Sequence, residues 1–141
     1  QTIEETLYQL MYVYKAIGDN KKDIEVYNKL GALDRDAKGA GNVSAVVSLY
    51  MASRYIHESP IEAIYECANM LGSDTDTIGL MCGSMIGAFI GFEAIPKHLK
   101  KVQDAEYLIH CAEKLFDLKL SPGGNLMNKN NLYLVAKIHK L

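Results

Sequence analysis

A stretch of fifteen residues without a charged side chain, at positions 78–92, most constrains what this chain can fold into. A helix that crosses a membrane needs about 20 apolar residues. This stretch is shorter, and it lies between Asp74 and Asp76 on one side and Glu93 on the other. It therefore predicts a helix buried in a protein core, and no membrane partner.

Glycine recurs at every fourth position of this stretch, at residues 79, 83, 87 and 91. A glycine inside a helix costs about 1 kcal/mol relative to alanine, so several of them need an offsetting gain. At this spacing they form a nearly flat stripe, which another backbone can approach closely. The pattern predicts tight packing along the stripe and a helix that runs through the middle of the protein.

Apolar spacing predicts helices along most of the remaining chain, at residues 2–17, 22–30, 43–57, 60–70 and about 102–117. In the first helix the predicted apolar face consists of Ile3, Leu7, Leu10, Tyr14 and Ile17. Residues 31–42 predict a loop, and 121–125 a break. Strand patterns are nearly absent, so the predicted fold class is all-α, with residues 1–141 forming one domain or a fragment of one.

Composition excludes several classes of function. Hydrophobic residues make up 49% of the chain, charged residues 23%, and the formal net charge is −2, which argues against a nucleic-acid or anionic-membrane partner. Cys67, Cys82 and Cys111 form no C-x-x-C pair, so we predict buried free thiols in a reducing compartment. With no signal peptide at the N-terminus, the predicted location is the cytoplasm.

The segment GSDTDT at residues 72–77 crowds carboxylates and hydroxyls immediately before the uncharged stretch. Helix capping explains part of it, because Ser, Thr and Asp side chains satisfy the free N–H groups of a first turn. One cap needs one oxygen, however, and two carboxylates two residues apart repel each other unless a cation lies between them. Mg²⁺ and Mn²⁺ take ligands of this kind. The residues alone leave a cap, an ion site, or both open.

The stretch GSDTDTIGLMCGSMIGAFIGFEAIP resembles the C-terminal signature of the ADP-ribosylglycohydrolases. That signature typically reads G-G-D-T-D-T, then a glycine-rich helix of the form G-x-x-x-G-A-x-x-G, then I-P. The upstream stretch GNVSAVVSLYMASRYIHESPIEAIYECANMLG resembles the helix pair that precedes the signature in the family. The resemblance covers about residues 39–116 and implies an orthogonal all-α bundle with its site in a cleft.

Carried over residue by residue, the resemblance implies that Asp74, Asp76 and Thr77 are metal ligands. In the family they serve a dinuclear Mg²⁺ or Mn²⁺ site, which hydrolyses the glycosidic bond between ADP-ribose and a protein side chain or related acceptor. Gly41, Asn42 and Val43 match a loop that lies near bound ADP-ribose in family members.

The sequence departs from the family pattern at two points. Ser73 stands where glycine is usual, and the adjacent aspartate pair of the family's N-terminal half does not occur in this sequence. Catalytic residues are therefore expected in an N-terminal half, either of the same protein or of a complementary chain. The alternative is a non-catalytic helical module that keeps the scaffold, as crystallin-like relatives do.

Overall fold

The structure is a computed structural model that describes residues 2–120, and side-chain surroundings for residues 3–116. It contains six α-helices: α1 (Thr2–Gly18), α2 (Asp23–Leu30), α3 (Gly41–Tyr55), α4 (Pro60–Asn69), α5 (Thr75–Ile90) and α6 (Ala105–Leu120). A 3₁₀ turn, Phe92–Ala94, follows α5. No strand occurs in residues 2–120, which confirms the all-α prediction. The break predicted at 121–125 lies outside the described residues.

The helices belong to two compact units, residues 1–96 with α1–α5 and residues 97–141 with α6. The single domain expected for residues 1–141 stays a prediction. Within residues 2–120, no helix combines the length and the apolar character needed to cross a membrane.

Helix α3 is the centre of the first unit, because α1, α2, α4 and α5 all pack against it. Its fully or nearly fully buried residues cover most of its circumference: Val43, Ser44, Val46, Val47, Ser48, Tyr50, Met51 and Ala52. The rest of the core comes from Val13, Ala16, Val26, Tyr27, Leu30, Ala32, Ala63, Cys67, Ile78, Cys82 and Ile86. Cys67 and Cys82 are therefore buried free thiols, as predicted, whereas Cys111 is only half-buried.

The prediction that α5 is a buried central helix is wrong. Its buried residues form a single row, Ile78, Cys82 and Ile86, which packs against α3 and α4. Leu80 and Ser84, on the opposite side of the helix, are exposed. The absence of charged residues makes a helix suitable for burial, but it does not show that other elements cover every face of that helix.

The tight packing predicted along the glycine stripe is also absent. A Cβ added at Gly79 or Gly87 would meet nothing within 4 Å, and one at Gly83 would lie 3.8 Å from the Ile64 side chain. The larger side chains of the neighbouring row, rather than the glycines, fill the contact with α3 and α4. Gly91 lies beyond the helix, at its C-cap, with a φ of 78°.

The face predicted for α1 is confirmed only in part. Leu10 and Ile17 pack against the core beside Val13 and Ala16, whereas Ile3, Leu7 and Tyr14 are exposed. The helix carries apolar side chains around much of its surface, and apolar spacing alone did not separate the buried ones from the exposed ones.

A partly buried junction centred on Asp23 fixes the start of α2 against the end of α3. The Asp23 carboxylate accepts hydrogen bonds from the Tyr50 hydroxyl (2.9 Å) and the Tyr55 hydroxyl (2.6 Å). Arg54 Nε lies 3.0 Å from the same carboxylate. Asp23 also occupies the first turn of α2, where a negative charge complements the helix dipole. These contacts hold three side chains of α3, those of Tyr50, Arg54 and Tyr55, around the Asp23 carboxylate.

Replacing Asp23 with asparagine tests this junction. The change removes the charge that strengthens the hydrogen bonds from Arg54 and the two tyrosines, so we expect the free energy of unfolding to fall by about 2 kcal/mol. Urea denaturation measures it. Glu25→Gln, an exposed acid of the same first turn, is the matched control and should change stability by less than about 0.5 kcal/mol. Equal effects of the two substitutions would contradict the assignment.

The junction also predicts a loss of stability at alkaline pH. Burial, followed by the hydrogen bond to Asp23 and its charge, raises the pKa of Tyr55 to about 12 from the ordinary 10.0. Because the folded-state pKa lies above the unfolded value, this stabilisation is complete below about pH 10 and disappears as the pH rises through about 12. We expect unfolding free energy to fall more steeply over this window in the parent chain than in Tyr55→Phe. The exposed control Tyr8→Phe should follow the parent, and parallel curves for Tyr55→Phe would refute the prediction.

Candidate functional site

The loop before α5 is shaped by a tight turn at residues 70–73. The Ser73 hydroxyl donates to the Met70 carbonyl at 2.8 Å, and the Ser73 backbone N–H donates to the same carbonyl at 3.2 Å. Gly72 adopts a φ of 95°, a left-handed conformation that residues with a Cβ rarely adopt. Lys38 Nζ donates to the Gly72 carbonyl at 3.2 Å, which ties the turn to the loop before α3. The turn delivers the chain to Asp74.

Asp74 occupies the N-cap position of α5, but its side chain makes no capping hydrogen bond. The carboxylate instead accepts a hydrogen bond from the Ser44 hydroxyl, 3.2 Å away on α3. Ser44 is completely buried, so the donor is held rigidly by the core. This carboxylate therefore does not supply the helix cap that the segment allowed, and its orientation is set by α3.

A second buried serine fixes the first turn of α5 itself. The Ser48 hydroxyl lies 3.1 Å from the Ile78 carbonyl and 2.6 Å from the Ser44 carbonyl. Ser44 and Ser48 are one helical turn apart on α3 and both face α5. Sequence reasoning missed them, although two serines four residues apart in an otherwise apolar helical face were a usable signal.

Asp76 is exposed, one residue beyond Thr75, where α5 begins. Hydrogen bonding with the Asp74 side chain, then with the backbone N–H groups of Thr77 and of Asp76 itself, lowers the pKa of Asp76 below its ordinary value. Two ionised carboxylates two residues apart repel each other, and a proton or a cation between them relieves that repulsion.

The motif opens onto a cleft of about 680 Å³. One wall is the acidic segment, and the other is the loop before α3, with Arg35 and Lys38. The cleft is lined by Arg35, Asp36, Lys38, Gly39, Ala40, Ser73, Asp74, Thr75 and Asp76. It therefore presents carboxylates and basic side chains to the same space.

Other predicted site residues lie beside this cleft and do not line it. Thr77 is half-buried in the first turn of α5. Gly41 and Asn42 begin α3, and the Asn42 amide donates to Gln9 Oε1 at 3.3 Å. Val43 is 3% exposed and belongs to the core. The residues immediately before them, Gly39 and Ala40, are the ones that reach the cleft.

The donor set of the motif suits a hard divalent cation, because it consists of carboxylate and hydroxyl oxygens. It is also small. Within residues 2–120, no three His, Cys, Asp or Glu side chains come together as a metal-binding group. The described part of the chain thus brings two carboxylates and one threonine, Asp74, Asp76 and Thr75, to the same cleft.

The sequence pattern of the ADP-ribosylglycohydrolase family matches residues 2–124. The chain belongs to the ADP-ribosylglycohydrolase family. The match covers all of α1–α6, well beyond the residues 39–116 on which the resemblance first rested. Comparison with curated proteins and with solved structures gives no significant match.

Two glycine substitutions test the local geometry of the site. Gly72→Ala forces a side chain into a left-handed conformation, so we expect a loss of about 1 kcal/mol in unfolding free energy. Gly79→Ala lies on α5, where the added Cβ meets nothing within 4 Å, and should stabilise the chain by about 0.5–1 kcal/mol. Thermal or urea unfolding measures both. Destabilisation by Gly79→Ala would show that its surroundings are not open.

Proposed function

We propose that this chain contributes one side of a metal site that hydrolyses the glycosidic bond of ADP-ribose, releasing it from a protein side chain or related acceptor. One observation carries the proposal. Asp74 is anchored by the buried Ser44 hydroxyl while Asp76 stays exposed, and both carboxylates line the same cleft.

The residues present fit Mg²⁺ or Mn²⁺. Both ions take oxygen ligands and retain water, so a few protein groups at one end of a helix can hold part of their coordination shell. Asp74, Asp76 and Thr77 would be the ligands from this chain. Ser44 fixes the Asp74 carboxylate from outside the coordination shell, as groups behind metal ligands commonly do. When bound, the ions supply anchoring for ribose hydroxyls and activation of water.

The opposite wall of the cleft suits the anionic part of such a ligand. Arg35 and Lys38 line the space that Asp74 and Asp76 face. ADP-ribose carries a negatively charged diphosphate beside its ribose hydroxyls, and guanidinium and ammonium groups bind phosphate oxygens well. We propose that the basic loop binds the diphosphate while the acidic wall holds the ribose end through metal ions.

Completion of the site requires further ligands. Two carboxylates and a hydroxyl are too few for a dinuclear centre with ordinary oxygen coordination. We propose that an N-terminal half, of the same protein or of a complementary chain, supplies the remaining ligands and the catalytic groups. The 141-residue chain alone should therefore bind metal weakly and release no ADP-ribose from a modified acceptor.

Manganese titration of the 141-residue chain tests the proposed ligands. Mn²⁺ broadens the NMR signals of nearby nuclei, so the backbone amides of residues 73–77 should broaden first. Asp74→Asn and Asp76→Asn should each weaken Mn²⁺ binding by at least about tenfold, because each removes a charged ligand. Isothermal titration with Mg²⁺ and ADP-ribose measures the affinities.

Asp36→Asn is the matched control, since Asp36 lines the same cleft from the opposite wall. It should leave Mn²⁺ binding nearly unchanged. Tight binding of two ions by the chain alone would contradict the need for a second half. An Asp36→Asn effect as large as that of Asp74→Asn would contradict the ligand assignment. A non-catalytic module of the crystallin-like kind predicts no selective broadening at residues 73–77.

A further inference from the structure

The outer face of α1 is an apolar stripe that the structure leaves exposed. Its members are Ile3, Leu7, Met11 and Tyr14, with 77%, 56%, 64% and 82% of their surfaces accessible. At about 100° per residue, these positions fall within an arc of about 80° on the helix surface. The stripe runs most of the length of a 17-residue helix.

The buried face of α1 lies on the other side of the same helix. Gln9, Val13 and Ala16 project into the first unit, roughly opposite the stripe. A helix that is apolar on two opposite faces is normally covered on both. Large aliphatic and aromatic side chains lined up on a surface mark an interaction site more often than scattered ones do.

We propose that the stripe pairs with the same stripe of a second copy of this chain, in an antiparallel two-fold dimer. The order of its residues fits such a pairing. About a two-fold axis near Gln9, Ile3 lies opposite Tyr14 of the other copy and Leu7 opposite Met11, each within about one residue rise of 1.5 Å. A two-fold interface must be self-complementary in this way.

Charge supports the antiparallel orientation. Glu4 lies in the first turn of α1 and Lys15 in the last. On a helical wheel, Glu4 lies about 60° and Lys15 about 80° from the centre of the stripe, both on the same side of it. A two-fold axis perpendicular to the helices brings equal flanks together, so Glu4 of each copy meets Lys15 of the other. Parallel pairing would bring opposite flanks together and lose both contacts.

The interface is small, and this sets the expected strength. One helix face is less than the roughly 800 Å² per partner of a standard stable interface. The dimer should therefore be weak, dissociating at concentrations of about 1–100 µM. None of the described cleft residues lies on α1, so the proposal stands independently of the metal site.

Sedimentation equilibrium of charge variants tests the pairing. The parent chain should show a monomer–dimer equilibrium. Glu4→Lys alone and Lys15→Glu alone each set like charges opposite each other twice, and should weaken the dimer by about tenfold. The double variant should restore the parent affinity. An equimolar mixture of the two single variants should also associate, because each heterodimer pairs Lys with Glu at both ends.

Leucine substitutions provide a matched control for the apolar contact. Leu7→Gln should weaken association, whereas Leu80→Gln, at an even more exposed leucine on α5, should not. Circular dichroism confirms that each variant is folded. A parent chain that is monomeric throughout would overturn the proposal. So would single charge variants that associate like the parent, a mixture no stronger than either variant alone, or equal effects at Leu7 and Leu80.

Discussion

Two buried hydroxyls on α3 determine where α5 begins. Serine is small enough to let the two helices approach closely, and its hydroxyl still satisfies a polar group in that contact. Ser48 reaches the Ile78 carbonyl, and Ser44 reaches the Asp74 carboxylate. Alanine at these positions would fill the same space without either hydrogen bond. The acidic motif is therefore positioned by the core of the first unit and not by its own loop.

The hydrogen bond from Ser44 gives the two aspartates different surroundings. Asp74 is turned toward α3 and loses the capping role that its position invites. Asp76 stays exposed, and its hydrogen bonds come from Asp74 and from the local backbone. One carboxylate is thus oriented by the fold and the other faces solvent beside it. Such a pair is suited to hold a cation at a defined point while leaving much of its coordination shell open.

Local chemistry in the sequence predicted the helices, but it did not predict how much of α1 and α5 stays exposed. Gly31 in a left-handed conformation ends α2, and Pro60 begins α4, so these boundaries could be read directly. Burial depends on neighbours distant in sequence, and α1 carries apolar side chains on opposite faces. Asp74 and Asp76 were recognisable because the motif is contiguous. The spacing of Ser44 and Ser48 could mark a shared helix face, but it could not identify Asp74 as the partner of Ser44, because the two residues lie thirty positions apart.

Asp76, in the candidate site, lies on the same exposed side of α5 as the apolar residue Leu80. Asp76, Leu80, Ser84 and Ala88 are spaced by four residues and lie on one exposed row. Gly87 lies beside that row, and a Cβ added to it would meet nothing within 4 Å. A polypeptide that covered Leu80 along this row would pass directly over Asp76. Burial of the Leu80 side chain and further ligands for the Asp76 carboxylate would then come from one contact.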